Sequence, residues 1–371
     1  MTFKELSNAY RGKRVLVTGH TGFKGSWLSI WLKELGANVI GYSLDPPTSP
    51  SNFKVCNLQD HITHVCGDVR DIDLLFKVFD EHKPEIVFHL AAQPIVRESY
   101  INPKLTFDIN IGGTVNLLEA VRCHDCVEVF VNITSDKCYE NKEWIWGYRE
   151  IDPMGGHDPY SASKGCCELV FAAYMKSFFT PSKSNQRKIG IASVRAGNVI
   201  GGGDWAIDRL IPDCVRALEA NETICLRNPE SIRPWQHVLE PLGGYLVIGA
   251  RLLEEPFQFS GAWNFGPNDS NYLPVKKVVG KFLEFWGHGN WQDISDKHEK
   301  LHEAKLLRLS CDKAKTFLNY SSILSIEECL QFTVEWYKKY CGDNLNKNLY
   351  NYCAQQISTY MEKNAKRDVL K

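Results

Sequence analysis

The sequence predicts a mixed α/β protein built on a doubly wound parallel sheet, with a smaller second α/β lobe. Three observations predict it. Short β-branched runs alternate with apolar-periodic segments from residue 13 to about residue 195, and that alternation lays parallel strands beneath crossover helices. The first run ends in a glycine-spaced turn that opens a helix. After Arg195 the rhythm breaks into glycine-, tryptophan- and proline-rich stretches, which suits a less regular lobe closing over the sheet.

Residues 13–18 (KRVLVT) form the first strand. Residues 23–35 follow with Trp27, Leu28, Ile30, Trp31, Leu32 and Leu35 at helical spacing. Residues 38–44 give a second strand and 62–66 a third, and 71–82 read as a helix. Then come strand 85–90 (EIVFHL), a long helix 103–123, strand 128–134 (EVFVNIT) and helix 159–178. Thr18, Leu90 and Thr134 all end strands. Parallel sheets bind ligands at those carboxyl ends, so the motifs around these three residues should meet in one cleft. The expected division is a first domain of residues 1–198 with a returning segment at about 235–262. Residues 199–234 and 263–342 form the second domain, and 343–371, polar and rich in Asn and Lys, form a loose terminal helix.

A formal net charge of −1 offers no attraction to nucleic acid or to an anionic membrane. The start, Met1-Thr2-Phe3-Lys4-Glu5-Leu6, lacks the apolar run of a signal peptide. No stretch approaches the roughly 18 apolar residues of a membrane span. The 13 cysteines are scattered from Cys56 to Cys353 without framework spacing, which reads as reduced thiols in the cytoplasm.

In Gly19-His20-Thr21-Gly22-Phe23-Lys24-Gly25 the glycines fall as G-x-x-G-x-x-G between strand and helix. Glycine lets backbone N–H groups approach a pyrophosphate, and the helix N-terminus faces its charge. The candidate dinucleotide residues are Gly19, Thr21, Gly22, Phe23, Lys24 and Gly25. Asp45 is a candidate for the adenosine ribose, with Ser43 the alternative, and Asp68-Val69 could meet the adenine. No arginine follows the second strand to hold a 2′-phosphate, which favours NAD over NADP.

Tyr160 and Lys164 lie one helical turn apart on one face. A phenol is a poor base near neutrality, but the lysine and a nicotinamide cation are expected to lower its pKa. Tyr160 could then take a hydroxyl proton as hydride leaves the adjoining carbon. Ser135-Asp136-Lys137 adds an acid and a potential base that a plain dehydrogenase does not need.

With the glycine turn, this pair resembles the extended short-chain dehydrogenase/reductase family. His89-Leu90-Ala91-Ala92-Gln93, Asn110 and Arg195-Ala196-Gly197-Asn198-Val199 carry the same resemblance, which covers residues 12–340. Segments 12–50, 147–164 and 197–213 narrow it to the nucleotide-sugar 4,6-dehydratases, and there to the CDP-glucose group. Relatives carry Thr-Asp-Glu where this chain has Ser135-Asp136-Lys137. The resemblance implies a Rossmann domain holding NAD, with Leu90, Ala91 and Ala92 also at the cofactor and CDP-D-glucose as substrate. It implies Asp136 as the acid and Lys137 in place of a glutamate base. Asn198, Arg209 and Arg233 are implied at the diphosphate, with Asp204 lining the pocket. A product feeding CDP-3,6-dideoxyhexose and O-antigen synthesis is implied too, as is a homodimer formed through helices 103–123 and 159–178.

The chemistry follows from those residue types. A ketone at C4 acidifies the C5 proton, a neutral Lys137 removes it, and a protonated Asp136 serves the departing C6 hydroxyl. Burial is expected to favour both states. An epimerase or reductase on the same fold is the first competitor, and Asp136-Lys137 argues against it. A silent nucleotide-sugar-binding protein is the second. The H-E-x-x-H match at His298–His302 and the pair Cys123/Cys126 read as chance, so no metal is expected.

Overall fold

The computed structural model describes residues 1–180, 187–295, 306–342 and 348–369. Seven strands form the central sheet: β1 (Arg14–Thr18), β2 (Asn38–Ser43), β3 (Thr63–Cys66), β4 (Ile86–His89), β5 (Val129–Ile133), β6 (Gly190–Ala196) and β7 (Gly261–Phe265). Their spatial order is β3-β2-β1-β4-β5-β6-β7, and every neighbouring pair is parallel. The expected doubly wound sheet is therefore present. Register brings Thr18 beside Tyr42 and His89, and His89 beside Asn132. The strand order reverses between β1 and β4, which opens a crevice at their carboxyl ends.

The helix Phe23–Glu34 is buried on every face through its middle: Trp27, Leu28, Ile30, Trp31 and Leu32 are wholly enclosed. Its second cover is the terminal helix Tyr350–Val369, expected to be loose. That helix docks through Tyr350, Cys353, Ile357, Tyr360 and Met361, all buried, with Trp31 edge-on to Tyr360 at 5.6 Å. These residues recur at three- and four-residue intervals, a core-facing stripe that the surrounding polar residues mask in the sequence.

The long helix expected at 103–123 is interrupted by a π turn at Asp108–Gly112. The turn aims buried Asn110 inward, where its side chain accepts from the Gln93 N–H at 2.8 Å and donates to Ser163 Oγ at 2.8 Å. A π bulge here spends helical regularity on locking two helices together. Helix Leu239–Glu254 brings the chain back to the central sheet, where β7 (Gly261–Phe265) joins its edge beside β6. Among the described residues, three two-stranded pairs lie outside the central sheet: Val199–Ile200 with Gln236–His237, Ile232–Pro234 with Tyr272–Pro274, and Ile224–Leu226 with Trp291–Asp293.

Candidate active site

One continuous cleft of about 2610 Å³ runs along the carboxyl ends of the strands and under the smaller lobe. Drug-sized ligand pockets span about 300–1,000 Å³, so this one has room for two nucleotides. Every predicted site residue lines it.

Two positions of the glycine turn admit only glycine. Gly19 has φ +74°, and a Cβ on Gly25 would lie 2.1 Å from the Gly19 carbonyl oxygen. Thr18 Oγ1 accepts from the Leu90 and Ala91 N–H groups, each at 3.2 Å, which joins the ends of β1 and β4 behind the turn. The hydroxyls of Thr21 and Ser43 share a hydrogen bond at 2.8 Å. Ser43 is therefore committed to the turn, whereas Asp45 is exposed at the cleft edge. The Asp68 carboxylate is held by Arg70, with Nη2 at 2.6 Å, which keeps it below the usual carboxylate range. This cradle fits a dinucleotide, and Asp45, Asp68 and Val69 line the same cleft.

Asp158 caps the helix Pro159–Tyr174, accepting from the Ser161 N–H at 2.9 Å, and Pro159 starts it. Tyr160 and Lys164 thus enter the cleft from the first two turns, both buried. Burial pushes the Tyr160 phenol up to about 12, and a hydrogen bond with Ser135 opposes the rise. The expected lowering is not what the protein groups deliver, because enclosure outweighs them. Burial also lowers the Lys164 ammonium, whose Nζ lies 3.5 Å from the Ile133 carbonyl oxygen.

Residues Asp136–Cys138 form one 3₁₀ turn after β5, capped by Ser135, which accepts from the Lys137 N–H at 3.2 Å. The Ser135 hydroxyl donates to Asp136 Oδ1 at 3.0 Å. A Cβ on Gly197 would fall 2.8 Å from Asp136 Oδ2, so a glycine there lets β6's exit loop press on the carboxyl. Burial raises the Asp136 pKa against the pull of Lys137, Lys24 and Arg233, which favours the protonated acid. Lys137 is only half-buried, so the burial expected of both groups holds for the acid alone.

On the lobe side, Arg209 Nη1 bonds buried Asp204 at 2.9 Å. Asp204 is thus an anchor for the arginine, and its backbone carbonyl accepts from the Tyr337 hydroxyl. Arg233 and Asn198 line the cleft, with Arg233 Nη1 on the Ile232 carbonyl at 3.1 Å. Asp208 bridges the two sides, pairing with Arg97 at 3.4 Å and Arg227 at 2.8 Å.

Sequence reasoning named Lys24 as a candidate in the glycine turn but missed three side-chain features. Lys24 brings an ammonium into the cleft; burial lowers it to about 8, with Arg209 adding to the effect and Asp136 opposing it. Its place in the glycine motif drew attention to its backbone instead. The other two are Glu168, one helical turn beyond Lys164, and its partner Arg195; Glu168's four-residue spacing was the available signal. Among the described residues no group of three His, Cys, Asp or Glu could hold a metal, and His298–His302 lies outside them.

The fold and this cleft define a short-chain dehydrogenase/reductase of the extended, nucleotide-sugar kind. The family model described as GDP-mannose 4,6 dehydratase matches residues 16–250, and the chain belongs to that family. It is 52% identical over 355 residues to the CDP-glucose 4,6-dehydratase of Salmonella typhimurium, an alignment covering 95% of this chain and 98% of that one. Among solved structures it is similar to DesIV, the dTDP-glucose 4,6-dehydratase of Streptomyces venezuelae with NAD and TYD bound. That match has a TM-score of 0.75 and 23% identity, over 89% of this chain and 98% of the other. It is also similar to the epimerase Mth375 of Methanothermobacter thermautotrophicus, with a TM-score of 0.76 and 25% identity, over 91% and 95% of the two chains.

Proposed function

We propose that the chain is an NAD-dependent CDP-D-glucose 4,6-dehydratase, converting CDP-D-glucose to CDP-4-dehydro-6-deoxy-D-glucose and water. The observation that carries the proposal is the meeting of two chemistries in one cleft: Tyr160 with Lys164, and Ser135-Asp136-Lys137 beside them. The 52% identity to a CDP-glucose 4,6-dehydratase over nearly the whole chain supports the substrate.

Gly19, Gly22, Phe23, Lys24 and Gly25 would hold the dinucleotide phosphates, with Asp45 at the ribose, Val69 at the adenine and Leu90–Ala92 beneath. When bound, NAD supplies a positively charged ring that accepts the C4 hydride and later returns it at C6. Tyr160, hydrogen-bonded to Ser135, takes the C4 hydroxyl proton, and Lys164 stabilises the phenolate. With C4 a ketone, the electrons left by the C5 proton are delocalised into the carbonyl. The Lys137 amine takes that proton and gives it back to C5 as hydride reaches C6. Asp136, whose pKa burial raises, gives its proton to the C6 hydroxyl, which departs as water. Arg233, and Arg209 steadied by Asp204, take the diphosphate, since guanidinium binds phosphate oxygens in pairs.

We further place the enzyme in the cytoplasm as a homodimer feeding 3,6-dideoxyhexose and O-antigen synthesis. Among the described residues no disulfide links the cysteines, and Leu105, Leu169 and Phe178 stand exposed on or next to the helices expected to pair. Incubation with CDP-, dTDP-, GDP- and UDP-glucose tests the substrate: the 4-keto product should form from CDP-glucose. Turnover of another nucleotide sugar without CDP-glucose turnover rejects it.

A further inference from the structure

The stripe of Tyr160 and Lys164 has a third member. Glu168 lies four residues further along the same helix, so it shares their face. It is buried, and its carboxylate accepts from Thr134 Oγ1, from Ser193 Oγ at 2.6 Å and from Arg195 Nη2 at 2.7 Å. Arg195 continues the chain of contacts, donating from Nη1 to the Tyr139 hydroxyl at 2.6 Å and to the Glu150 carbonyl at 3.1 Å. Tyr139 in turn donates to Asn264 Oδ1 at 2.8 Å. Thr134 and Tyr139 are the two ends of the segment that contains Ser135, Asp136 and Lys137. One carboxylate on the hydride-transfer helix therefore tethers both ends of the acid/base turn.

A buried ion pair gains little stability over a well-packed apolar pair. What it supplies is direction, because charge-assisted bonds are short and geometrically selective. We propose that Glu168 is a positioning residue that holds the acid/base turn in place relative to Tyr160 and Lys164, so that a hexose oxidised at C4 loses water before it escapes. The proposal rests on the dehydratase reading. Glu168 also bears on Lys164 directly: its charge opposes the lowering that burial imposes on the ammonium.

The test is Glu168→Gln, which keeps shape and removes charge, alongside Thr134→Val, which removes only the upstream tether. Single turnovers with CDP-glucose are followed by reduced-nicotinamide absorbance, by exchange of the C5 hydrogen with solvent and by release of 4-keto-6-deoxy product. Wild type should pass nearly every oxidised hexose to product. In Glu168→Gln the fraction stranded as reduced cofactor should rise about tenfold, and the alkaline limb of the pH profile should move to lower pH as Lys164 loses support. Thr134→Val should strand a smaller fraction with its pH profile unmoved, and it decides the matter if Glu168→Gln does not fold. Slower turnover and a lower Tm with an unchanged partition would mark a purely structural residue and overturn the proposal. A wild-type enzyme that forms no 4-keto product from any nucleotide sugar would overturn the dehydratase reading instead.

Discussion

The helix Pro159–Tyr174 and the turn Asp136–Cys138 face the same cleft but are built in opposite ways. The helix has its own cap in Asp158 and carries its side chains at fixed intervals. The turn is three residues long, and beyond its Ser135 cap its place depends on contacts with Glu168, Arg195 and Asn264. A self-supporting element suits chemistry shared across a superfamily, since it can be kept intact. A tethered turn suits the step that varies, since its residues can change without disturbing the sheet.

Substitutions separate the two regions, and the largest effect should come from the helix. Tyr160→Phe removes the proton acceptor needed before anything else can happen. Oxidation and elimination should fall together by about 10²–10⁴-fold, with no reduced nicotinamide appearing. Lys137→Ala and Asp136→Asn should instead retain C4 oxidation while losing product, visible as reduced cofactor formed in a burst on mixing with CDP-glucose. Unchanged turnover in Lys137→Ala would remove its role as base. The raised Asp136 pKa sets a sign as well: elimination should weaken as pH rises through it, and Asp136→Asn should abolish that limb.

This contrast also explains how far the sequence could be read. Parallel strands, the glycine turn and Tyr160/Lys164 follow from local periodicity and spacing, so they were visible. The tethers of the turn join residues such as Tyr139 and Asn264, far apart in the chain, and no local pattern announces them. The docking of the terminal helix was missed for a related reason: Tyr350, Cys353, Ile357 and Tyr360 form its stripe, but polar and charged residues fill most positions between them. Lys24 lay inside a recognised motif, yet the motif speaks for backbone and not for side chains. The raised pKa of Tyr160 followed from a depth of burial that the sequence does not disclose.

A smaller effect should come from Lys24, which belongs to neither the helix nor the turn. At pH 7 its ammonium adds positive charge near Arg209, and Lys24→Met should weaken CDP binding about tenfold, or about 1.4 kcal/mol. The deficit should shrink above pH 8 as wild-type Lys24 loses its proton. Calorimetry with CDP at two pH values measures it. A deficit that is the same at both values would show that the charge is not what binds. Asp204→Asn, which loosens Arg209 without removing it, should raise KM for CDP-glucose a few-fold and leave the oxidation-to-elimination partition unchanged.

The smallest effect on the chemistry should come from the most remote pair. Buried Glu240 accepts from the Ile323 and Leu324 N–H groups at 2.9 and 2.7 Å, and from the Tyr360 hydroxyl at 3.0 Å. It fastens the terminal helix to the helix Leu239–Glu254. Tyr360→Phe removes one donor from a buried carboxyl and should cost about 1–3 kcal/mol, read as a lower Tm or urea midpoint. The two buried carboxyls should then differ in pH response. Glu168 is held below the usual range by Arg195, so its contribution is present above about pH 4.5 and is lost as pH falls through its folded pKa. Glu240 is raised by burial, so its contribution is greatest at low pH and declines as pH rises through its folded pKa. Tyr360→Phe removes a bond that steadies the charged form of Glu240, so its deficit should grow with rising pH while kcat stays at the wild-type value. A fall in kcat at pH 7 would mean that the terminal helix reaches the acid/base turn mechanically, and the separation between self-supporting and tethered regions would have to be redrawn to include it.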